Sequence, residues 1–227
     1  MDRRLLLLVV AVVALVGVVN ATVYAYRWMT GTVNVAGPGA ATGAACTGFY
    51  SSADQEGIDE FLSAVGTNYN APTYGENTIS VTPGNVVCQW TIDDTEYKLY
   101  ESITVNIPIT VGSWYIQDFY GFGYYGADTD PTVYVWFRLE DPATDYSYLS
   151  TAKLVIYKVD SEGNVQYVYE LDLLGDSGDY VSAGSLSPGE AFRLDLRFDA
   201  ANAGTVRFTV GVYVSQESEE PVTPRPW

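Results

Sequence analysis

The stretch AFRLDLRFDAANAGTVRFTVGVYV (residues 191–214) sets the class of the fold. Its first half places Phe192, Leu194, Leu196 and Phe198 at every second position, and its second half does the same with Val206, Phe208, Val210, Val212 and Val214. Side chains of an extended strand point alternately to opposite faces, so each half reads as a strand with one core-facing side. Asn202-Ala203-Gly204 supplies turn chemistry between them, which predicts a hairpin of two antiparallel neighbours.

The same period recurs through the chain. Ile103, Val105, Ile107, Ile109 and Val111 form one alternating run, and Val133, Val135, Phe137 and Leu139 another. TAKLVIYKV (151–159) and NVQYVYELDLL (164–174) flank Asp160-Ser161-Glu162-Gly163 as a second hairpin. Thr82-Pro83-Gly84 and Ser187-Pro188-Gly189 carry the Pro-Gly order of type II turns, each launching a strand. Helical spacing occurs once: Ile58, Phe61, Leu62 and Val65 lie at i, i+3, i+4, i+7, with Ser52 and Gln55 as a capping-box pattern and Gly66 as the stop. Many short strands and one short helical insertion predict an all-β sandwich of the jelly-roll or immunoglobulin-like kind over residues 38–215. The tail 216–227, acidic and proline-rich, is expected to be flexible.

The N-terminus is of another character. Met1-Asp2-Arg3-Arg4 precedes the apolar run LLLLVVAVVALVGVV (5–19), a basic and then hydrophobic order that predicts a signal peptide over residues 1–25, cleaved after Ala21 or Ala25. Export and a mature extracellular location follow, with membrane contact only through this segment before cleavage. The chain carries 28 acidic and 11 basic residues, a formal charge of −17, and the leader removes one acid and two bases. Such a surface repels phosphate backbones and excludes nucleic acid as a partner. Cys46 and Cys88 in an exported chain imply a single disulfide, with two buried free thiols as the alternative.

Histidine is absent. No Ser-His-Asp triad, Cys-His pair or HExxH zinc site is therefore possible, no phosphate-cradling loop motif occurs, and the chain reads as a non-enzyme without a cofactor. Asp93 with Asp94, and Asp128 with Asp130, are pairs of hard oxygen donors in turn-like positions; they are weak candidates for calcium against a reading as solvated acidic turns.

WYIQDFYGFGYYG (114–126) gathers Trp114, Tyr115, Phe119, Tyr120, Phe122, Tyr124 and Tyr125 among glycines. It reads as an aromatic loop, either a lateral contact surface or a cap whose rings fill the core, with stacking on sugars as a third use. Pro108 interrupts the strand Ile103 to Val111, and proline cannot donate to a ladder. This predicts an edge strand or a bulge, so Ile103, Val105, Ile107, Pro108 and Ile109 are candidates for an edge that accepts another strand.

Three segments carry a resemblance: the leader end ATVYAY (21–26), the strand Gly31-Thr-Val-Asn-Val35, and Leu186-Ser-Pro-Gly-Glu190 before an alternating strand. They resemble the TasA/camelysin-like extracellular fibre proteins, most nearly the archaeal bundling pilins. That resemblance implies a jelly-roll-like subunit that polymerises by donor-strand complementation into biofilm filaments, with identical subunits and neighbouring filaments of a bundle as its partners. Residues 26–37 would then be the donor strand and hinge, with Arg27, Met29, Gly31, Val33 and Val35 in the exchanged strand. The chain departs from the family pattern in that the segment between its leader and the Gly31-Thr32 strand is shorter than in the bacterial members. The alternative function is a monomeric, secreted or anchored β-sandwich module that binds glycan or a cell surface through the aromatic segment.

Overall fold

The structure is a computed structural model that describes residues 46–68, 72–74, 77–143 and 149–218. Its strands are, in chain order, β1 (Cys46–Tyr50), β2 (Pro72–Tyr74), β3 (Asn77–Thr78), β4 (Ser80–Pro83), β5 (Val86–Ile92), β6 (Thr95–Tyr100) and β7 (Ser102–Ile109). There follow β8 (Gly112–Tyr125), β9 (Val133–Asp141), β10 (Leu149–Val159), β11 (Val165–Asp172), β12 (Tyr180–Leu186), β13 (Ala191–Ala200) and β14 (Gly204–Ser215). One sheet has the order β11-β10-β13-β8-β1-β6-β5, the other β12-β9-β14-β7-β4, and β2 with β3 forms a small separate ribbon. The two large sheets pack face to face as the expected β-sandwich, with antiparallel pairing throughout.

The alternating residues build the core between the sheets. Phe192, Leu194, Leu196 and Phe198 of β13 bury against Val206, Phe208 and Val210 of β14, Val135 and Phe137 of β9, and Ile103 to Ile109 of β7. At its centre Phe49 meets Phe122 at 5.3 Å and Phe137 at 6.0 Å, and Phe137 meets Phe192 at 5.8 Å, all edge-on. Each such side chain removed from water stabilises the fold by about 1.5–3 kcal/mol.

Four local expectations are corrected. Strands β13 and β14 are not a hairpin: they lie in different sheets, and Ala201 to Ala203 carry the chain across the sandwich. Two strands that face each other across a core show the same alternation as two that pair side by side, and here the apolar faces oppose. The helix over 58–65 is reduced to one 3-10 turn, Ile58–Glu60. Its intended capping groups are used elsewhere: Gln55 bonds both the N–H and the C=O of Lys98, at 2.7 and 2.9 Å, and Ser52 Oγ donates to Val65 O at 2.9 Å. Gly57 and Gly66 sit at φ 83° and 70° and close the segment into a loop. The aromatic stretch 114–126 is not a loop but the bulk of β8, a central strand. Finally, Pro83 belongs to β4 and Gly84 does not take the positive φ of a type II turn, whereas Ser187–Glu190 does form one, with Gly189 at φ 83°.

Strand β7 lies between β14 and β4 rather than at the sheet edge. Its ladder with β4 ends at the pair Ser80 and Asn106, two residues short of Pro108. Pro108 opposes Thr205 of β14 in a pair that needs no N–H from it, so the missing donor faces the β4 side. The hairpin of β10 and β11 forms as expected, closed by Gly163 N–H to Asp160 O at 3.0 Å.

The outer face of the seven-stranded sheet carries a second core. Tyr50, Leu99, Val159 and Ala191 point outward and are covered by Ile58, Leu62 and Val65 of the loop 51–66. Gly121 and Gly123 of β8 make room for that loop: a Cβ on Gly121 would overlap Val65 Cγ2, and one on Gly123 would stand 2.6 Å from Tyr50 Cε1. Gly121→Ala is therefore expected to destabilise the fold by about 1–3 kcal/mol through overpacking. Denaturant melts of wild type and variant measure this, and equal midpoints would show that the loop does not press on β8.

Candidate binding face

Strand β8 takes four steps from Ile116 to Tyr120 where β13 takes two, from Leu196 to Leu194. The surplus is a bulge at Asp118, which sits at φ 54° in the left-handed region that Asp tolerates better than most residues. Opposite the bulge lies Asp195, fully buried although it is on the outer side of β13. Its Oδ1 accepts the Asp118 N–H at 2.8 Å, and its Oδ2 accepts the Tyr115 hydroxyl at 2.7 Å. Arg193 donates from Nε at 3.1 Å and from Nη2 at 3.2 Å. A carboxylate taken out of water costs several kcal/mol unless paired and fully bonded, and these partners meet that requirement. The Asp118 carboxylate in turn accepts the Gly66 N–H and the Thr67 hydroxyl, each at 2.7 Å, and so anchors the end of the covering loop.

Around Asp195 stands a row of tyrosines. Tyr157 of β10 lies opposite Arg193, whose guanidinium stacks 4.5 Å from its ring centroid. The Tyr157 hydroxyl is 2.9 Å from that of Tyr115, and its ring meets Tyr167 of β11 edge-on at 5.7 Å. Tyr115 and Tyr167 are 53% and 55% exposed, so rings fixed from below present open faces to solvent. Partial burial, followed by the bonds to Asp195 and Tyr157, pushes the Tyr115 phenol well above its ordinary range. It stays protonated and donates at any physiological pH.

Beside this row runs a groove of about 660 Å³ between the loop 59–65 and the turn 160–163. Arg193 and Asp118 line it together with Asp59, Glu60, Asp160 and Glu162. Its far wall includes Phe61 and Tyr125, which are 5.9 Å apart, and Tyr125 stacks flat on Trp90 at 4.0 Å. The result is a concave, acidic channel with the rings of Phe61 and Tyr125 in its lining and, through Arg193, a contact to the tyrosine row.

The sequence candidates are dispersed by the structure. Of the aromatic residues singled out, Phe119, Tyr120, Phe122 and Tyr124 are buried in the core, Trp114 is half-buried with its indole N–H on Thr110 O at 2.8 Å, and only Tyr115 and Tyr125 contribute to the outer face. Ile103, Val105, Ile107 and Ile109 point into the core. Arg27, Met29, Gly31, Val33 and Val35 lie outside the described residues, as do the leader 1–25 and the tail from 219. Asp93 and Asp94, at φ 49° and 65°, are the two turn residues between the paired Ile92 and Thr95 of the β5–β6 hairpin. Asp130 closes its own turn by accepting the Ala127 N–H at 2.8 Å. Among the described residues no three carboxylates converge on one point that would suit a cation. Cys46 and Cys88 are joined in a disulfide that ties β1 to β5 across β6.

Tyr157, Tyr167, Arg193 and Asp195 were not singled out from the sequence. Their signal was present, since Tyr157 and Tyr167 flank the 160–163 turn and Arg193 with Asp195 occupies the non-core positions of AFRLDLRFDA. What the pattern lacks is the neighbour relation across β8, β13 and β10.

No family model and no curated protein matches the chain. Among solved structures it is similar to the CBM22-1–GH10 modules of Clostridium thermocellum xylanase 10B complexed with xylohexaose, at 14% identity and a TM-score of 0.27, covering 72% of this chain and 29% of that one. It is also similar to TmCBM61 in complex with β-1,4-galactotriose, at 15% identity and a TM-score of 0.27, covering 68% of this chain and all of that one. The chain thus spans under a third of the first of these structures.

One wall of the groove is sensitive to acid. The Asp160 carboxylate accepts the Asn164 side chain, and the Asn164 and Glu162 N–H groups, each at 2.9 Å. These bonds, the Asn164 side chain first, hold it below its ordinary value of 3.8. A lowered folded value contributes stability that is present above 3.8 and is lost as the pH falls through the folded value. Amide exchange at Glu162 and Asn164, corrected for intrinsic rates, is expected to stay slow on acidification to that point and to quicken below it. Asp160→Asn should remove the acid step, and an unchanged profile would refute the assignment.

Proposed function

We propose that this chain is an exported β-sandwich binding module, not an enzyme, that holds a glycan on the outer face of its seven-stranded sheet. The observation that carries this reading is the Tyr115–Tyr157–Tyr167 row, pinned on three different strands beside an open groove. Sugar rings expose C–H faces that pack on aromatic rings and hydroxyls that need polar partners, and tyrosine offers both. Rigid strands lower the ordering cost of binding. The disulfide agrees with an extracellular setting, because such bonds persist where thiols are not kept reduced. Net acidity argues against polyanionic partners.

The filament-subunit reading rests on residues 26–37 and on the family resemblance, and none of the described strands adds to it. The proposed contact needs no second copy of the chain.

Titration calorimetry of the full mature chain with β-1,4-linked xylo- and galacto-oligosaccharides tests the module reading. Tyr167→Ala is expected to weaken binding by roughly tenfold, about 1.4 kcal/mol. Because Tyr167 is largely exposed, the same change should alter folding stability by less than about 0.5 kcal/mol. Absence of heat and of any competition by either sugar, with the fold intact, would sink the reading.

A further inference from the structure

The tyrosine row has a fixed hydrogen-bond direction, and Asp195 sets it. The Asp195 carboxylate, paired with Arg193, only accepts, so the Tyr115 proton is committed inward to Oδ2. Tyr115 then has no proton left for its neighbour. The 2.9 Å contact between the two phenols must therefore run from the Tyr157 hydroxyl to the Tyr115 oxygen. Both protons of the pair point down the chain Tyr157, Tyr115, Asp195, and both oxygens keep only lone pairs for a ligand.

The surroundings have the same polarity. Arg193, the exception, spends its Nε proton and one Nη2 proton on Asp195 and its flat face on Tyr157, and keeps its other N–H groups as donors. Asp59, Glu60 and Glu162 add acceptors along the groove. A hydrogen-bonded chain that ends on a charge is mutually strengthened, so turning one hydroxyl outward breaks more than one bond.

We propose that Asp195 is the positioning residue that makes this face an acceptor surface, and that the face therefore selects neutral glycans with free hydroxyl groups over glycans that are O-alkylated, sulfated or uronic. This rests on the binding-module reading and deepens it. The ligand supplies the protons to the paired phenols: each free sugar hydroxyl can donate to a phenol oxygen or carboxylate, whereas a methyl ether has lost that proton and a sulfate or uronate brings negative charge beside Asp59, Glu60 and Glu162.

Xylohexaose and its O-methylated form are the probes, titrated into the full mature chain. Wild type is expected to prefer the free sugar by roughly tenfold or more, the scale of one or two lost hydrogen bonds. Asp195→Asn keeps an acceptor for the Asp118 N–H but turns a donor toward Tyr115, releasing its proton; the preference should fall to about threefold or less. Tyr115→Phe breaks the chain but leaves the buried carboxylate its bonds from Arg193 and the Asp118 N–H, and it should compress the preference likewise, which covers the case in which Asp195→Asn does not fold. In the free protein, nuclear magnetic resonance should show a slowly exchanging Tyr115 hydroxyl proton that disappears in Asp195→Asn. Binding of both sugars with equal affinity, or a preference unchanged in Tyr115→Phe, would overturn the direction argument while leaving the module reading standing. No binding of either sugar would overturn both.

Discussion

The buried carboxylate of Asp195 is the contact on which the outer face of this protein depends. It replaces the ladder bonds that β8 forfeits at its bulge, satisfying the Asp118 N–H, and it balances its own charge with Arg193. Without it the surplus residues between Ile116 and Tyr120 would leave a backbone donor unpaired in the middle of a sheet, and the left-handed Asp118 would have nothing to hold it. Buried charge is tolerated here because every acceptor position near the bulge has a donor.

The bulge also divides the sheet. On one side β8 presents Gly121 and Gly123, and the absence of side chains lets the loop 51–66 lie flat over Tyr50, Leu99 and Val159. On the other it presents Tyr115, which is left open beside Tyr157 and Tyr167. Asp118 belongs to both halves, since its carboxylate ties down Gly66 and Thr67 while its amide rests on Asp195. The groove lies along this boundary, where a covered surface ends and an uncovered one begins. A site placed there inherits rigidity from two packed cores, one between the sheets and one beneath the loop.

Much of the scaffold was legible in advance. Period-two alternation marked β7, β9, β10, β13 and β14, and the Asp160 to Gly163 turn marked the one long hairpin correctly. The errors share a physical origin. Alternation reports which side of a strand is buried but not what buries it, so β13 and β14 looked like a pair when they face each other across the core. Glycine between aromatics reads locally as loop chemistry, yet Gly121 and Gly123 are strand residues whose missing Cβ atoms serve a tertiary contact. The helical spacing of Ile58, Leu62 and Val65 did identify buried residues, but Ser52 and Gln55 found better partners in Val65 and Lys98 than in a helix terminus.

By itself, the sequence determined the class of the fold, the core-facing residues, the disulfide partners and the lack of histidine chemistry, because burial periodicity and composition are local properties of the chain. Only the tertiary structure decided which strands are neighbours, and with that the site: Tyr115, Tyr157, Tyr167 and Asp195 come from four strands, β8, β10, β11 and β13. Their meeting depends on sheet order and on a two-residue shift of register. Those are set by the packing of whole faces against each other, which no single stretch of sequence contains.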